Sequence, residues 1–492
     1  MNNKKVLAFD LGASGGRGII GAFDGRVLSL EEVGRFRNGP KQLGSKLFWD
    51  FIMLMEHIYG IIGKQSERIS SVGIDTWGVD FGLLDQNGDL MGMPRSYRDA
   101  AFGDKNRDEM LAAFGGEPAL FDLTYVASQR FTVLSKLYWM QQHEPGTLDY
   151  ADHLLMLPNL IEYYLTGEIH SEYSIASTSQ MYDMKNRCWS KELIQKLGVK
   201  ESLFSPVDMP GHVLGKLKSE YFDGGVSGIQ VISVSGHDTA CAAAAVPTGD
   251  RNYTFLSSGT WSLMGAITDN LLTGQRVIDS KIGNEGAANG AYRPTINITG
   301  LWLIQECKRC WNEAKIPLTY EAIAETASKC RPCQCFIDPD VFQAPGNYPD
   351  LIMDYCKRTG QYVPQNNAEI ARCVFDSLAM KYRESLIALQ ECLRETNQLY
   401  VVGGGVNNRL LNQLTANAVG IPVITGPSEA TAVGNIIQQL QTLGEICGAE
   451  EAGEVIRTSF ASEEFQPQDT DLWDDAYARF LKIREYSSDL KL

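Results

Sequence analysis

Asp10-Leu11-Gly12-Ala13-Ser14-Gly15-Gly16-Arg17 is the stretch on which the fold turns. Before it, Val6 to Asp10 is an apolar run closed by a carboxylate. After it, Arg17 to Phe23 again reads as a strand, and Asp24-Gly25 leads into a third run, Arg26 to Phe36. An Asp-Gly pair between strand-like runs is a hairpin signal. A glycine-rich turn followed by a strand is neither the P-loop nor the dinucleotide fingerprint, because both require a helix directly after the glycines. Working outward, Asp50 is placed to cap a helix in which Phe51, Leu54, Met55, Ile58, Tyr59 and Ile62 form one apolar face. Ser71 to Thr76 then reads as a buried strand. The opening is therefore β-β-β-α-β, and the class is α/β.

The second half repeats this order. Tyr253 to Leu256 is a strand, Ser257-Ser258-Gly259-Thr260 a turn of small residues, and Trp261 to Ile267 another strand. Ala368 to Leu393 reads as a long amphipathic helix. Leu399 to Val402 is a buried strand feeding Gly403-Gly404-Gly405, and Asn408 to Val419 is helical. Ile421 to Ile424 and Ala430 to Leu440 follow as strand and helix. Two halves with one grammar imply an old duplication. The seam is expected at Val246-Pro247-Thr248-Gly249-Asp250, giving domains 1–246 and 247–492. A last helix near Asp471 to Tyr486, with Leu472, Trp473, Tyr477, Phe480 and Leu481 on one side, should pack back on the body.

A net charge of −16 repels nucleic acid and anionic membranes, so neither is an expected partner. It does not exclude a nucleotide, whose phosphates are held by local N–H groups. The longest apolar stretch, Phe51 to Gly63, contains Glu56 and His57 and is too short to span a bilayer. The N-terminus has no signal-peptide core, so the cytoplasm is expected. Eleven scattered cysteines point to reduced thiols. Cys307-x2-Cys310 and Cys330-x2-Cys333 fit a zinc template by count. The first pair falls inside a helical pattern, however, and no glycine knuckle follows either pair, so ordinary thiols are expected.

Five segments carry chemistry. In the first, glycines 12, 15 and 16 let backbone N–H groups approach an anion, Ser14 adds a hydroxyl, Asp10 can meet a hydrated Mg2+, and Arg17 can offset phosphoryl charge. The competing reading is a plain hairpin. Ser257 to Thr260 is the same device in the other half. In Ser235-Gly236-His237-Asp238-Thr239-Ala240, a carboxylate at a helix start is either a general base or an N-cap. Gly403-Gly404-Gly405-Val406-Asn407-Asn408 is either a bed for a flat ring or a simple βα turn. In Ile74-Asp75-Thr76-Trp77-Gly78-Val79-Asp80, the indole and two carboxylates gather either around a sugar or as core Trp with surface Asp.

Taken in this order, together with Arg35-Phe36-Arg37-Asn38-Gly39-Pro40, Tyr97-Arg98-Asp99 and Gly300-Leu301-Trp302-Leu303-Ile304-Gln305-Glu306-Cys307, the chain resembles the FGGY carbohydrate kinases of the actin–hexokinase–Hsp70 superfamily. The resemblance covers nearly the whole length. It implies two ribonuclease-H-like (actin-like ATPase) domains with ATP in an interdomain cleft, Mg2+ as cofactor and a small ketose as acceptor, in a monomer or homodimer. Carried over residue by residue, Asp238 is the base that takes the proton of the sugar O1 hydroxyl. Ala13, Ser14, Gly15, Gly16, Arg17 and Thr260 hold the phosphates, and Gln305 and Gly403 line the nucleotide site. Gly78, His237, Asp238, Thr239 and Asn297 contact the sugar, and Asp10 partners the metal. Gly15 stands where many relatives carry serine. Phe131 to Leu137 keeps Lys136, but Val133 replaces the small polar residue or proline of the family signature. The rivals are a kinase for a different ketose and a non-catalytic nucleotide-dependent interaction module.

Overall fold

Lys4–Gly12 and Gly15–Phe23 form a tight antiparallel hairpin in which Gly12 pairs with Gly15, and Leu28–Arg37 adds antiparallel to its outer edge. On the other side of Lys4–Gly12 lie Ser71–Thr76 and then Gln230–Ser233, both parallel, with His212–Lys216 antiparallel at the edge. These elements come from a computed structural model that describes residues 3–222, 228–250, 252–342, 344, 346–393 and 396–487. Asp50 caps helix Phe51–Gln65 by accepting from the Met53 amide, as its position in the sequence predicts.

The chain divides into two compact units that are not contiguous in sequence. The first comprises Met1–Asn252, Ile267–Pro294 and Ala430–Ser459, and the second Tyr253–Ala266, Thr295–Glu429 and Phe460–Leu492. In the first unit, helix Phe51–Gln65 covers one face of the sheet, where a Cβ on Gly18 would stand 3.0 Å from Ile61. Helix Ala430–Thr442 covers the other, where Gly21 faces Ile436 and Gly73 faces Asn435, each with room for a hydrogen only. The core under the first helix is built from Leu7, Phe9, Trp49, Leu54, Ile58, Val72, Ile74 and Val231. A second cluster in the same unit gathers Leu134, Leu137, Met156, Tyr173, Met181 and Leu193.

In the second unit the strands run in the order Tyr292–Thr299, Trp261–Ile267, Tyr253–Ser258, Leu399–Val402, Val423–Thr425 and Glu464–Phe465. The central three are parallel and the last pair is antiparallel. This matches the strand order of the first unit, as expected for a duplication. The terminal helix Thr470–Ser487 buries Trp473, Ala476 and Phe480, while Leu472 and Leu481 remain exposed. Its buried stripe is therefore narrower than its sequence implies. No helix among the described residues is long and apolar enough to cross a membrane.

Candidate active site

Three carboxylates meet at the C-terminal ends of the parallel strands of the first unit. Asp10 and Asp75 are register partners on neighbouring strands. Next to them, the Thr76 amide donates to the Gly236 carbonyl at 2.9 Å, which seats the Gly236–Asp238 turn against the same sheet end. Asp75 is fully buried and its Oδ1 has no hydrogen-bond partner. Burial pushes its carboxyl well above the usual range and the charge of Asp10 adds to this, while the Asn435 amide opposes it. Asp10 also pairs with Arg17 at 2.5 Å across the hairpin.

The hairpin turn places Ala13 and Ser14 at its tip, with Ser14 exposed. Asn38 pins it from the neighbouring strand end. Its side chain donates to the Gly12 carbonyl at 2.9 Å and its amide to Ser14 O at 3.2 Å. Gly16 underlies the turn because a Cβ there would run into the Phe36 ring.

Asp238 opens the short helix Asp238–Ala244, and His237 is its N-cap residue. The Asp238 Oδ1 accepts from the Thr239 amide at 2.6 Å and from the Thr239 hydroxyl at 3.1 Å, while the side chain stays about one-third exposed. The preceding backbone is held from below. Buried Glu172 accepts from the amides of Gly236, Ser174 and Ile175 and from the Ser174 hydroxyl, at 2.7–3.0 Å. The Ser174 hydroxyl accepts from the His237 amide at 3.2 Å. Burial raises the Glu172 carboxyl, and these donors limit the rise. His237 is fixed from the side by fully buried Arg293, whose guanidinium contacts His237 Nδ1 at 2.8 Å and pairs with Glu285. A guanidinium only donates, so Nδ1 is the acceptor in that contact and Nε2 carries the proton on the side facing Asp238. Burial works against the Glu285 carboxylate, but the charge of Arg293 beside it outweighs this and holds it at about 2.

The same serine-rich segment supports Gly78. Thr178 Oγ1 accepts from the Val79 amide at 3.2 Å, and a Cβ on Gly78 would lie 3.2 Å from that oxygen. Val79 sits at φ 69°, a backbone state that costs a β-branched residue about 1–3 kcal/mol. What holds it is the next residue. Buried Asp80 accepts from the Trp49 and Trp77 indoles at 2.6 and 2.8 Å and pairs with buried Lys136. Trp77 is thus a core residue, but Asp75 and Asp80 are both buried and belong to different networks, so the surface-Asp reading of this segment fails. The first unit therefore brings together Asp10, Ala13 to Arg17, Gly78, His237, Asp238 and Thr239.

Thr260, Gln305, Gly403 and Asn297 lie on the second unit. Ser257 pairs with Val402 across parallel strands, so the turns that follow both strands share one end of that sheet. Gly403 adopts φ 85°, and a Cβ there would stand 3.1 Å from the Ser258 carbonyl. Gly405 lies closer still, with the Ser258 side chain in the space a methyl would take. Thr260 is exposed and its hydroxyl donates to Gln305 Oε1 at 3.2 Å, while the Leu301 and Trp302 amides donate to the carbonyls of Gly259 and Thr260. Asn297 points outward from strand Tyr292–Thr299, opposite Leu263.

Sequence reasoning missed Glu172, Arg293, Glu285 and Asn38. Asn38 stood in the Arg35 to Pro40 motif with no role assigned, and Glu172 left a trace in Ser171-Glu172-Tyr173-Ser174-Ile175-Ala176-Ser177-Thr178-Ser179, a run of short side chains suited to bonding nearby backbone. Of the zinc-template cysteines, Cys307 and Cys310 lie on helix Trp302–Glu313.

Residues 5–245 match the N-terminal domain, and residues 254–443 the C-terminal domain, of the FGGY family of carbohydrate kinases. The chain is 39% identical to a rhamnulokinase of Bacteroides thetaiotaomicron, over 97% of this chain and 99% of that protein. It is 37% identical to the rhamnulokinase of Pectobacterium atrosepticum, over 94% and 93%. Among solved structures, a ligand-bound xylulose kinase from Lactobacillus acidophilus superposes with a TM-score of 0.81 at 15% identity, over 99% of both chains. Plasmodium falciparum glycerol kinase with ADP gives 0.80 at 13% identity, over 100% and 99%. At such identities these neighbours establish the two-domain actin-like fold alone.

Proposed function

This chain belongs to the FGGY family of carbohydrate kinases, and from that premise we propose that it transfers the γ-phosphoryl group of ATP to O1 of L-rhamnulose, giving ADP and L-rhamnulose 1-phosphate. The observation that carries this reading is the 39% identity to a rhamnulokinase along essentially the full length of both chains. The geometry of the first unit fits it. Asp238 is the general base, with Oδ1 held by Thr239, which leaves Oδ2 to accept the O1 proton of the sugar. His237 presents Nε2–H beside it as a donor to a sugar oxygen, and Gly78, Thr239 and Asn297 complete the sugar contacts. The turn from Ala13 to Arg17 and Thr260 hold the phosphates, and Gln305 and Gly403 line the nucleotide site.

Phosphoryl transfer needs orientation and charge stabilisation more than covalent chemistry, which suits a site made of backbone turns and fixed carboxylates. Mg2+ fits the sheet end on its donor chemistry. Asp10 offers the hard oxygen it prefers, and the neighbouring buried, unpartnered Asp75 Oδ1 is an oxygen a cation would satisfy. When bound, the ion neutralises phosphate charge. Glu172, Ser174 and Arg293 keep the Gly236–Asp238 turn from shifting as the proton moves. The division into domains 1–246 and 247–492, the cytoplasmic location and a monomeric or homodimeric state belong to the same reading.

The test is a coupled ADP assay with L-rhamnulose, L-fuculose and L-xylulose as acceptors. L-Rhamnulose should give the highest kcat/KM, and Asp238→Ala should cut turnover about 100-fold or more while nucleotide still binds. A higher kcat/KM on another ketose reassigns the substrate. ADP release indifferent to sugar defeats the kinase reading.

A further inference from the structure

The second unit brings three buried thiols together. The Sγ atoms of Cys335, Cys356 and Cys373 all lie within 4.8 Å of one another. They come from three different elements: the loop after helix Tyr320–Ser328, helix Tyr348–Arg358 and helix Asn367–Cys392. Buried cysteine ordinarily serves as a small apolar residue, and for that role three sulfurs need not converge. The loop is pinned on both sides of Cys335. The Cys333 amide donates to Asp376 at 2.7 Å, the Phe336 amide to Gln361 at 2.8 Å and the Ile337 amide to the Ser377 hydroxyl at 2.9 Å. The sulfur of Cys335 is therefore presented by a fixed backbone.

We propose that Cys335, Cys356 and Cys373 form a trigonal thiolate site for a soft d10 cation of the Cu+, Zn2+ or Cd2+ kind. A metal–sulfur bond of about 2.3 Å sets trigonal sulfurs about 4 Å apart, so sulfurs within 4.8 Å need only small side-chain shifts to close on an ion. Thiolates select soft cations over Mg2+ or Ca2+. Cys335 and Cys373 also line a small pocket with Cys330, Arg331, Tyr362, Glu369 and Arg372. Each thiol that coordinates releases its proton to solvent, up to three per ion, with no change of oxidation state. The site is independent of the kinase reading, because no residue in it belongs to the proposed sugar or nucleotide contacts.

The test is titration of the reduced full-length protein with Cd2+, followed by the ultraviolet thiolate-to-metal charge-transfer band, in a Cys188→Ser/Cys447→Ser background that removes the exposed thiols. Saturation at one equivalent is expected, with proton release. Cys356→Ser and Cys373→Ser should each weaken binding by more than about 100-fold, since even outer-shell changes cost about 10–100-fold. Circular dichroism checks the fold, and Cys335→Ser, in the loop, replaces any helix variant that fails to fold. The proposal is overturned if no band appears or if the band is indifferent to all three cluster substitutions. Two of these thiols joining as a disulfide in reducing buffer instead of binding Cd2+ would overturn it equally.

Discussion

Replacing Gly434 by alanine should disturb the proposed base from a distance. Gly434 lies on helix Ala430–Thr442 where it crosses helix Asp238–Ala244. A Cβ there would stand 2.6 Å from the carbonyl carbon of Cys241, with the carbonyl oxygen nearer still. Ordinary contact begins near 3.4 Å, so the two helices must separate by about 0.8 Å or more. The obstacle is backbone and cannot rotate aside, which puts the overpacking cost near the upper end of the usual range, about 3 kcal/mol. Alanine returns about 1 kcal/mol in helix propensity, so the net loss is about 2 kcal/mol. A shift of about 1 Å at a reacting group costs on the order of 100-fold in rate, and Asp238 begins the displaced helix three residues before Cys241. Turnover in the coupled ADP assay should fall by that order, and the urea midpoint should drop. Gly60→Ala is the control: it is also inside a helix, but a Cβ there meets nothing within 4 Å, so it should leave turnover unchanged and raise stability by up to about 1 kcal/mol. If the two variants behave alike, the close helix crossing has no bearing on Asp238.

Gly405→Ala should strike the turn of the second unit, because the new methyl takes the space of the Ser258 side chain. KM for ATP should rise about tenfold or more with a smaller change in KM for sugar, and an unchanged KM for ATP would remove this turn from nucleotide binding. Glu285 supplies a pH test. Its folded pKa of about 2 lies below the ordinary 4.5, so its contribution to stability is complete above about pH 4.5 and is lost as pH falls toward 2. The shift corresponds to about 3 kcal/mol. The stability gap between wild type and Glu285→Gln should be widest above pH 5 and narrow below 4.5, and a gap that does not vary with pH would contradict the pairing with Arg293.

Local features were legible in the sequence because short-range physics fixes them. The first two strands, the Asp50 cap, the small-residue turns and the strand before Gly403 all depend on neighbours within a few residues. Asp238 stands out locally as a carboxylate at a helix start, but only the family resemblance separates a base there from an N-cap. The missing parts are pairings across long sequence separations. Arg293 reaches His237 across 56 residues, and Asn435 reaches Asp75 across 360. Periodicity foretold a helix near Ala430, but nothing local says which sheet it covers. Asp80 misled for the same reason, since its partner Lys136 lies 56 residues on and turns an apparently exposed acid into a buried ion pair.

The return of helix Ala430–Thr442 to the first sheet constrains how the molecule is born. Asn435, Gln438 and Gln439 bond to Asp75, Ser235, Ser71 and Leu7, so the nascent chain must leave that sheet face bare while the intervening stretch is still on the ribosome. From Asn252 to Ser459 is on the order of 200 residues, roughly 10–40 s of translation at about 5–20 residues per second. For that interval a glycine-lined sheet face waits for its own late-made cover.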